Sequence, residues 1–111
     1  MEKITQYQQY VQQVLSEYAQ LSQSDDSIEV ELSFDSVRNH YHIFNVGWEK
    51  KRRIYGCVIH VDIKDGKIWI QHDGTEAVIA DEFLKLGVPK EDIVLAFHSP
   101  FRRQFTGFAV N

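Results

Sequence analysis

A chain of 111 residues, 43% hydrophobic and 25% charged, has the size and composition of one globular domain, residues 1–111, and leaves little room for a deep catalytic cleft beside its own core. The formal net charge of −4 excludes a chain-wide electrostatic footprint for nucleic acid, so any phosphate contact has to be local. Residues 1–7 lack the apolar stretch of a signal peptide and no run approaches the ~18 apolar residues of a membrane span, so a cytoplasmic location is expected. Cys57 is the single cysteine, which excludes an internal disulfide and a thiolate metal cluster and predicts a buried, inert thiol.

In chain order, Ile4, Tyr7, Val11, Val14, Tyr18 and Leu21 recur at alternating spacings of three and four. They predict an amphipathic helix that packs on its own sheet rather than in a coiled coil, because the flanking charge pattern of a coiled coil is missing. The polar cluster at residues 22–27 ends the helix. Ile28, Val30, Leu32 and Phe34 then alternate with Glu29, Glu31 and Ser33, the period of a half-buried strand. A second strand is predicted over residues 39–48, a charged turn over 49–53 and a third strand over 54–64. On the third, Tyr55, Cys57, Ile59, Val61 and Ile63 line one side and Ile54, Val58 and His60 the other, which predicts a central strand covered from both directions.

Asp65-Gly66 is a two-residue type I′ hairpin signal, so a fourth, antiparallel strand follows over residues 67–71. The spacing of Asp73 and Glu76 matches a capping box, and it opens a second helix over residues 77–86 with Val78, Ile79, Phe83 and Leu86 on its inner side. Gly87 and Pro89 stop that helix. A turn at residues 90–92, an apolar run at 93–97 and a tail rich in aromatics and arginine complete the chain. The expected fold is α+β, a four-stranded antiparallel meander with both helices mainly on one face. Two helices cover little more than one face of such a sheet, so an apolar patch should remain on the other. A homodimer or larger homo-oligomer is its simplest cover, with Trp48 and Trp69 as anchors.

Among residues that could carry chemistry, His40 and His42 share a strand face if strand two is regular, and His60 on the next strand could complete a three-histidine site of catalytic zinc type. No carboxylate is seen to orient these rings, and no bound metal or cofactor is expected. His72, Asp73 and Glu76 look like a catalytic group on paper, but capping explains the two acids. Phosphate-binding glycine loops and nucleophile elbows are missing from the sequence. Lys50, Lys51, Arg52 and Arg53 fall at a hairpin tip, where they could touch a phosphate backbone or simply be solvated. Phe97, His98, Phe101, Arg102, Arg103 and Phe105 bring aromatics and arginines together after a turn, the residue types favoured at interface hot spots, and are candidates for partner binding.

The run Ile54-Tyr-Gly-Cys-Val-Ile-His-Val-Asp-Ile-Lys-Asp-Gly-Lys-Ile-Trp-Ile-Gln-His-Asp-Gly-Thr-Glu76 resembles the XisI family. So do the segment Leu86-Gly-Val-Pro-Lys-Glu-Asp-Ile-Val-Leu-Ala-Phe97 and the closing residues Phe97, His98, Pro100, Arg103, Thr106, Gly107, Phe108 and Ala109. Ala96 departs from the glycine more usual in the family. The family is named for a controlling factor that acts with the recombinase XisF and the partner XisH in programmed excision of the fdxN element in cyanobacteria, and XisH-like partners resemble nucleases. The resemblance therefore implies a non-catalytic regulatory protein that binds an XisH-like protein and meets DNA only indirectly or weakly. Many members occur outside that excision system. Two alternatives stand beside this reading. One is a direct DNA-binding accessory protein that uses the basic tip and Arg102 and Arg103; the other is a small metal-dependent hydrolase built on His40, His42 and His60.

Overall fold

Residues 2–22, 26–75 and 78–111 are described by the structure, a computed structural model. Helix α1 (Glu2–Ser22) lays Tyr7, Val11, Val14, Leu15 and Ala19 in the core along one stripe, as its spacing predicts. Leu21 falls outside that stripe and is 88% exposed, contrary to expectation, because the helix ends there with no further core to reach. Strands β1 (Ile28–Asp35), β2 (His40–Glu49), β3 (Arg52–Lys64) and β4 (Lys67–Asp73) form the expected antiparallel meander. At the β3–β4 turn Asp65 and Gly66 take φ of 54° and 76°, the positive values a type I′ hairpin requires.

Among the described residues the sheet has five strands rather than four. The short β5 (Ile93–Leu95) lies parallel to β4, with Ile68 opposite Ile93 and Ile70 opposite Leu95. A parallel neighbour needs a crossover, and helix α2 (Ile79–Lys85) supplies it between β4 and β5. α2 starts later than predicted, and Val78 is exposed rather than inner. Of the proposed capping box, Glu76 lies outside the described residues. The N-cap of α2 is Val78, not Asp73, but Asp73 braces the approach to the helix: its Oδ1 accepts from the Thr75 amide and hydroxyl at 3.1 and 2.6 Å, and its Oδ2 accepts from the Ile79 amide at 3.3 Å. Gly87, at φ 95°, closes the helix while the Val88 amide donates back to the Phe83 carbonyl at 3.1 Å.

Two irregularities decide which side chains face where. Ile43 pairs with Ile59 but Phe44 pairs with Cys57, so Val58 is an extra residue on β3; likewise His60 pairs with His72 and Val61 with Ile70, leaving Gln71 extra on β4. Directly opposed residues share a face. The bulge at Val58 therefore turns Tyr55 and Cys57 away from Ile59, Val61 and Ile63, with which the regular alternation grouped them, and Tyr55 is 69% exposed.

The inner face carries Tyr41, Ile43, Ile59, Val61, Ile63, Ile68, Ile70 and Ile93, all buried under α1 and under Ile79, Ala80 and Phe83 of α2. Asp92 ties α1 to the start of β5, accepting from the Tyr7 hydroxyl at 2.5 Å and pairing with Lys3 Nζ at 2.9 Å. These contacts hold the Asp92 carboxyl below its ordinary range, although burial by itself would raise it. Beyond β5, the chain forms a helical turn α3 (Pro100–Arg103) and closes the β5 edge, where the Ala109 amide donates to the Ile93 carbonyl at 2.9 Å. No helix among the described residues is long and apolar enough to cross a membrane.

Candidate functional site

Among the described residues no helix lies on the outer face of β1, β2 and β3, and the register lines up its side chains. His40 stands opposite Asp62, His42 opposite His60, Phe44 opposite Cys57, Val46 opposite Tyr55 and Trp48 opposite Arg53. Aromatic contacts run along this ladder. His42 and His60 have ring centroids 4.2 Å apart, His42 and Phe44 5.6 Å, and Phe44 and Tyr55 6.4 Å, while the Arg53 guanidinium lies 5.4 Å from the Trp48 ring and 5.9 Å from that of Tyr55. Glu29, Glu31, Ser33 and Asp35 flank the ladder on β1.

At one end of the ladder a single carboxylate oxygen, Asp62 Oδ1, lies 2.8 Å from His40 Nδ1 and 2.8 Å from His60 Nε2. The second oxygen, Oδ2, accepts from Gln71 Nε2 at 3.3 Å. Burial would raise the Asp62 carboxyl, but the hydrogen bonds and charges of the two imidazoles outweigh it and hold the group below its ordinary range. Burial, then the neighbouring His60, lowers His42, which favours its neutral ring. The expectation that no carboxylate orients the histidines is thus overturned. The three-histidine grouping is replaced by His40, His60 and Asp62, with the His42 ring tilted against that of His60 beside them. The signal was present in the sequence: His60 and Asp62 are two apart on one strand and so share a face. His72 stands opposite His60 on β4 and is exposed. Cys57 is half-buried rather than buried as expected; burial raises its thiol, which donates to the Ile59 carbonyl at 3.3 Å.

The C-terminal tail divides the residues predicted to bind a partner. Phe101 and Phe105 are 70% and 72% exposed and meet edge to face with centroids 5.4 Å apart; Phe97 is half-exposed against His98, and Arg102 is exposed. Arg103 does not stand free at a rim. Its Nε donates to the His98 carbonyl at 2.9 Å, its two terminal nitrogens to the carbonyls of Ala96 at 3.2 Å and Val110 at 3.4 Å, and its guanidinium lies 5.7 Å from the Trp69 ring. Trp69 is accordingly buried, with Lys64 Nζ over its ring at 4.3 Å, and is not available as an anchor for self-association; Trp48, 53% exposed, is. All four cations of the β2–β3 tip are exposed; Arg52 pairs with Glu49 at 2.9 Å and Arg53 lies over the rings of Trp48 and Tyr55, while Lys50 and Lys51 reach into solvent.

The protein-family model described as XisI protein matches residues 1–110. The chain belongs to the XisI family. It is similar to the crystal structure of a XisI-like protein from Anabaena variabilis ATCC 29413, at 48% identity and a TM-score of 0.93 over 97% of this chain and 99% of that one. It is also similar to the fdxN element excision controlling factor XisI of the same organism, at 36% identity and a TM-score of 0.87 over 98% and 99% of the two chains. None of the curated proteins matches the chain.

Several of the residues that carry the XisI resemblance have a structural reason to be there. Pro100 opens α3, with the Ser99 hydroxyl accepting from the Arg102 amide at 3.4 Å. The Thr106 hydroxyl donates to the Arg103 carbonyl at 2.9 Å and accepts from the Phe108 amide at 3.1 Å, and Gly107 takes φ 84° between them. Together with Arg103 these residues fold the XisI tail into one fixed shape and leave Phe101, Arg102 and Phe105 on its outside.

Proposed function

We propose that this chain is a non-catalytic accessory factor that acts by binding an XisH-like, nuclease-related protein, and that the outside of the C-terminal tail is the surface it uses. The observation that carries the reading is the likeness over nearly the whole chain to a protein named an excision controlling factor. The tail suits the task because Phe97, Phe101 and Phe105 are exposed apolar groups beside Arg102, on a segment that Arg103 already holds in place. A preordered aromatic and arginine surface loses little freedom on binding and offers the side chains that dominate interface energies.

Direct DNA binding is less well supported. The net charge repels a duplex, and two of the four basic residues at the β2–β3 tip are engaged within the chain. The test is co-purification of the chain with an XisH-like protein. A stable complex is expected, and Phe101→Glu should weaken it at least tenfold without moving the melting temperature. If the wild-type chain forms no complex the reading fails; if Phe101→Glu binds normally, the surface lies elsewhere.

A further inference from the structure

The end of the outer face where β2 begins carries a site that the proposed function does not use. We infer that His40, His60 and Asp62 bind one divalent transition-metal ion, zinc by the preference of this ligand set.

Three separate observations converge there. First, the ligand atoms of these residues all lie within 4.8 Å of one another, and both imidazole nitrogens are directed at the same carboxylate oxygen. Tetrahedral zinc with bonds of about 2.0–2.1 Å separates its ligands by about 3.3 Å, so the ion needs each imidazole nitrogen roughly half an ångström farther from the Asp62 oxygen than the present 2.8 Å, and the two nitrogens about 3.3 Å apart, inside the 4.8 Å that now bounds them. Second, the pairing of the two strands sets this geometry. His40 and Asp62 are a cross-strand pair and His60 is two residues from Asp62 on the same face, so all three side chains rise from two adjacent, hydrogen-bonded strands. Third, the surroundings suit a ligand set rather than a chance cluster. Gln71, made surplus to the β3–β4 pairing by the bulge, donates to the far oxygen of Asp62 and fixes its orientation, and the His42 ring packs on that of His60.

Two imidazoles and one carboxylate are the borderline donors that favour zinc and its first-row neighbours over calcium or magnesium. The His40 side chain is 51% exposed and that of His60 31%, so the ion would sit at the surface with its remaining position filled by water. Bound there, it would pin β2 to β3 at the end of the ladder remote from Trp48.

The experiment uses tag-free, chelator-treated full-length chain. Equilibrium dialysis against zinc should leave one ion per chain, and titration with cobalt(II) should develop the visible absorption of a low-coordinate site. His40→Ala, at a half-exposed position where folding is not at risk, should abolish stoichiometric binding, as should Asp62→Ala. Gln71→Leu should weaken binding about tenfold. His98→Ala, on the tail, should bind as the wild type does. Less than half an ion per chain in the wild type, or equal binding by the wild type and His40→Ala, overturns the inference and reduces the cluster to a hydrogen-bonded histidine–aspartate network.

Discussion

The inner and outer faces of the sheet are made by alternate residues of the same strands, and they are stabilised in different ways. On the inner face Ile43, Ile59, Val61 and Ile70 are buried in one continuous core with α1 and α2, so their contribution is apolar area removed from water. On the outer face the neighbours of those residues, His42, His60, Asp62 and Trp69, are held by ring contacts and by directed hydrogen bonds, and among the described residues only the β4–β5 side has a cover, in the tail. A face of the first kind tolerates no loss of volume. One of the second kind tolerates substitution in its fold but not in its geometry, which is where binding resides.

The largest contrast should come from Ile59, fully buried opposite Ile43. Ile59→Ala is expected to lower the unfolding free energy by about 2–4 kcal/mol through lost burial and the cavity left behind. Urea denaturation with an unchanged slope measures it, and a loss under about 1 kcal/mol would mean that the inner face is loosely packed. Next comes the seam between the two faces. Arg103→Ala leaves three backbone carbonyls without their donor and uncovers Trp69. A loss of roughly 1–3 kcal/mol is expected, together with faster amide exchange in the tail and red-shifted tryptophan emission. If neither signal moves, the tail is held by Thr106 and Ala109 alone.

The smallest effect on folding, and the sharpest on association, belongs to the outer face. Trp48 and Tyr55 form an exposed aromatic patch with Arg53 stacked between them, and a second copy of the chain is the proposed cover. The wild-type chain should sediment as a dimer at micromolar concentration, and the double variant Trp48→Ser, Tyr55→Ser as a monomer whose folding stability changes by no more than about 0.5 kcal/mol. A wild-type monomer removes the self-association proposal and leaves the two-face description intact.

Where the strands run was legible in the chain itself. The alternation at residues 28–34, the Asp65-Gly66 turn and the Gly87 stop each encode a local backbone conformation, and each appears in place. The fifth strand was not legible, because three residues are too few to show a period and what makes Ile93–Leu95 a strand is the β4 edge that α2 brings it back to. Arg103 and Trp69 were misplaced for a related reason: an arginine in an aromatic tail has the same composition whether it faces a partner or its own backbone, and only the folded tail supplies the carbonyls of Ala96, His98 and Val110.

By itself the sequence determined the class of fold, the order of the four antiparallel strands and the family, because short-range periodicities and turn residues act within a few positions of one another. It also placed His60 and Asp62 on one face, two positions apart. The tertiary structure decided what meets them. The bulges at Val58 and Gln71 shift the register of β3 against β2 and of β4 against β3, and so choose which residues share the outer face. A side chain's neighbours across a sheet depend on pairing between segments distant in the chain, and one inserted residue exchanges the faces of everything beyond it.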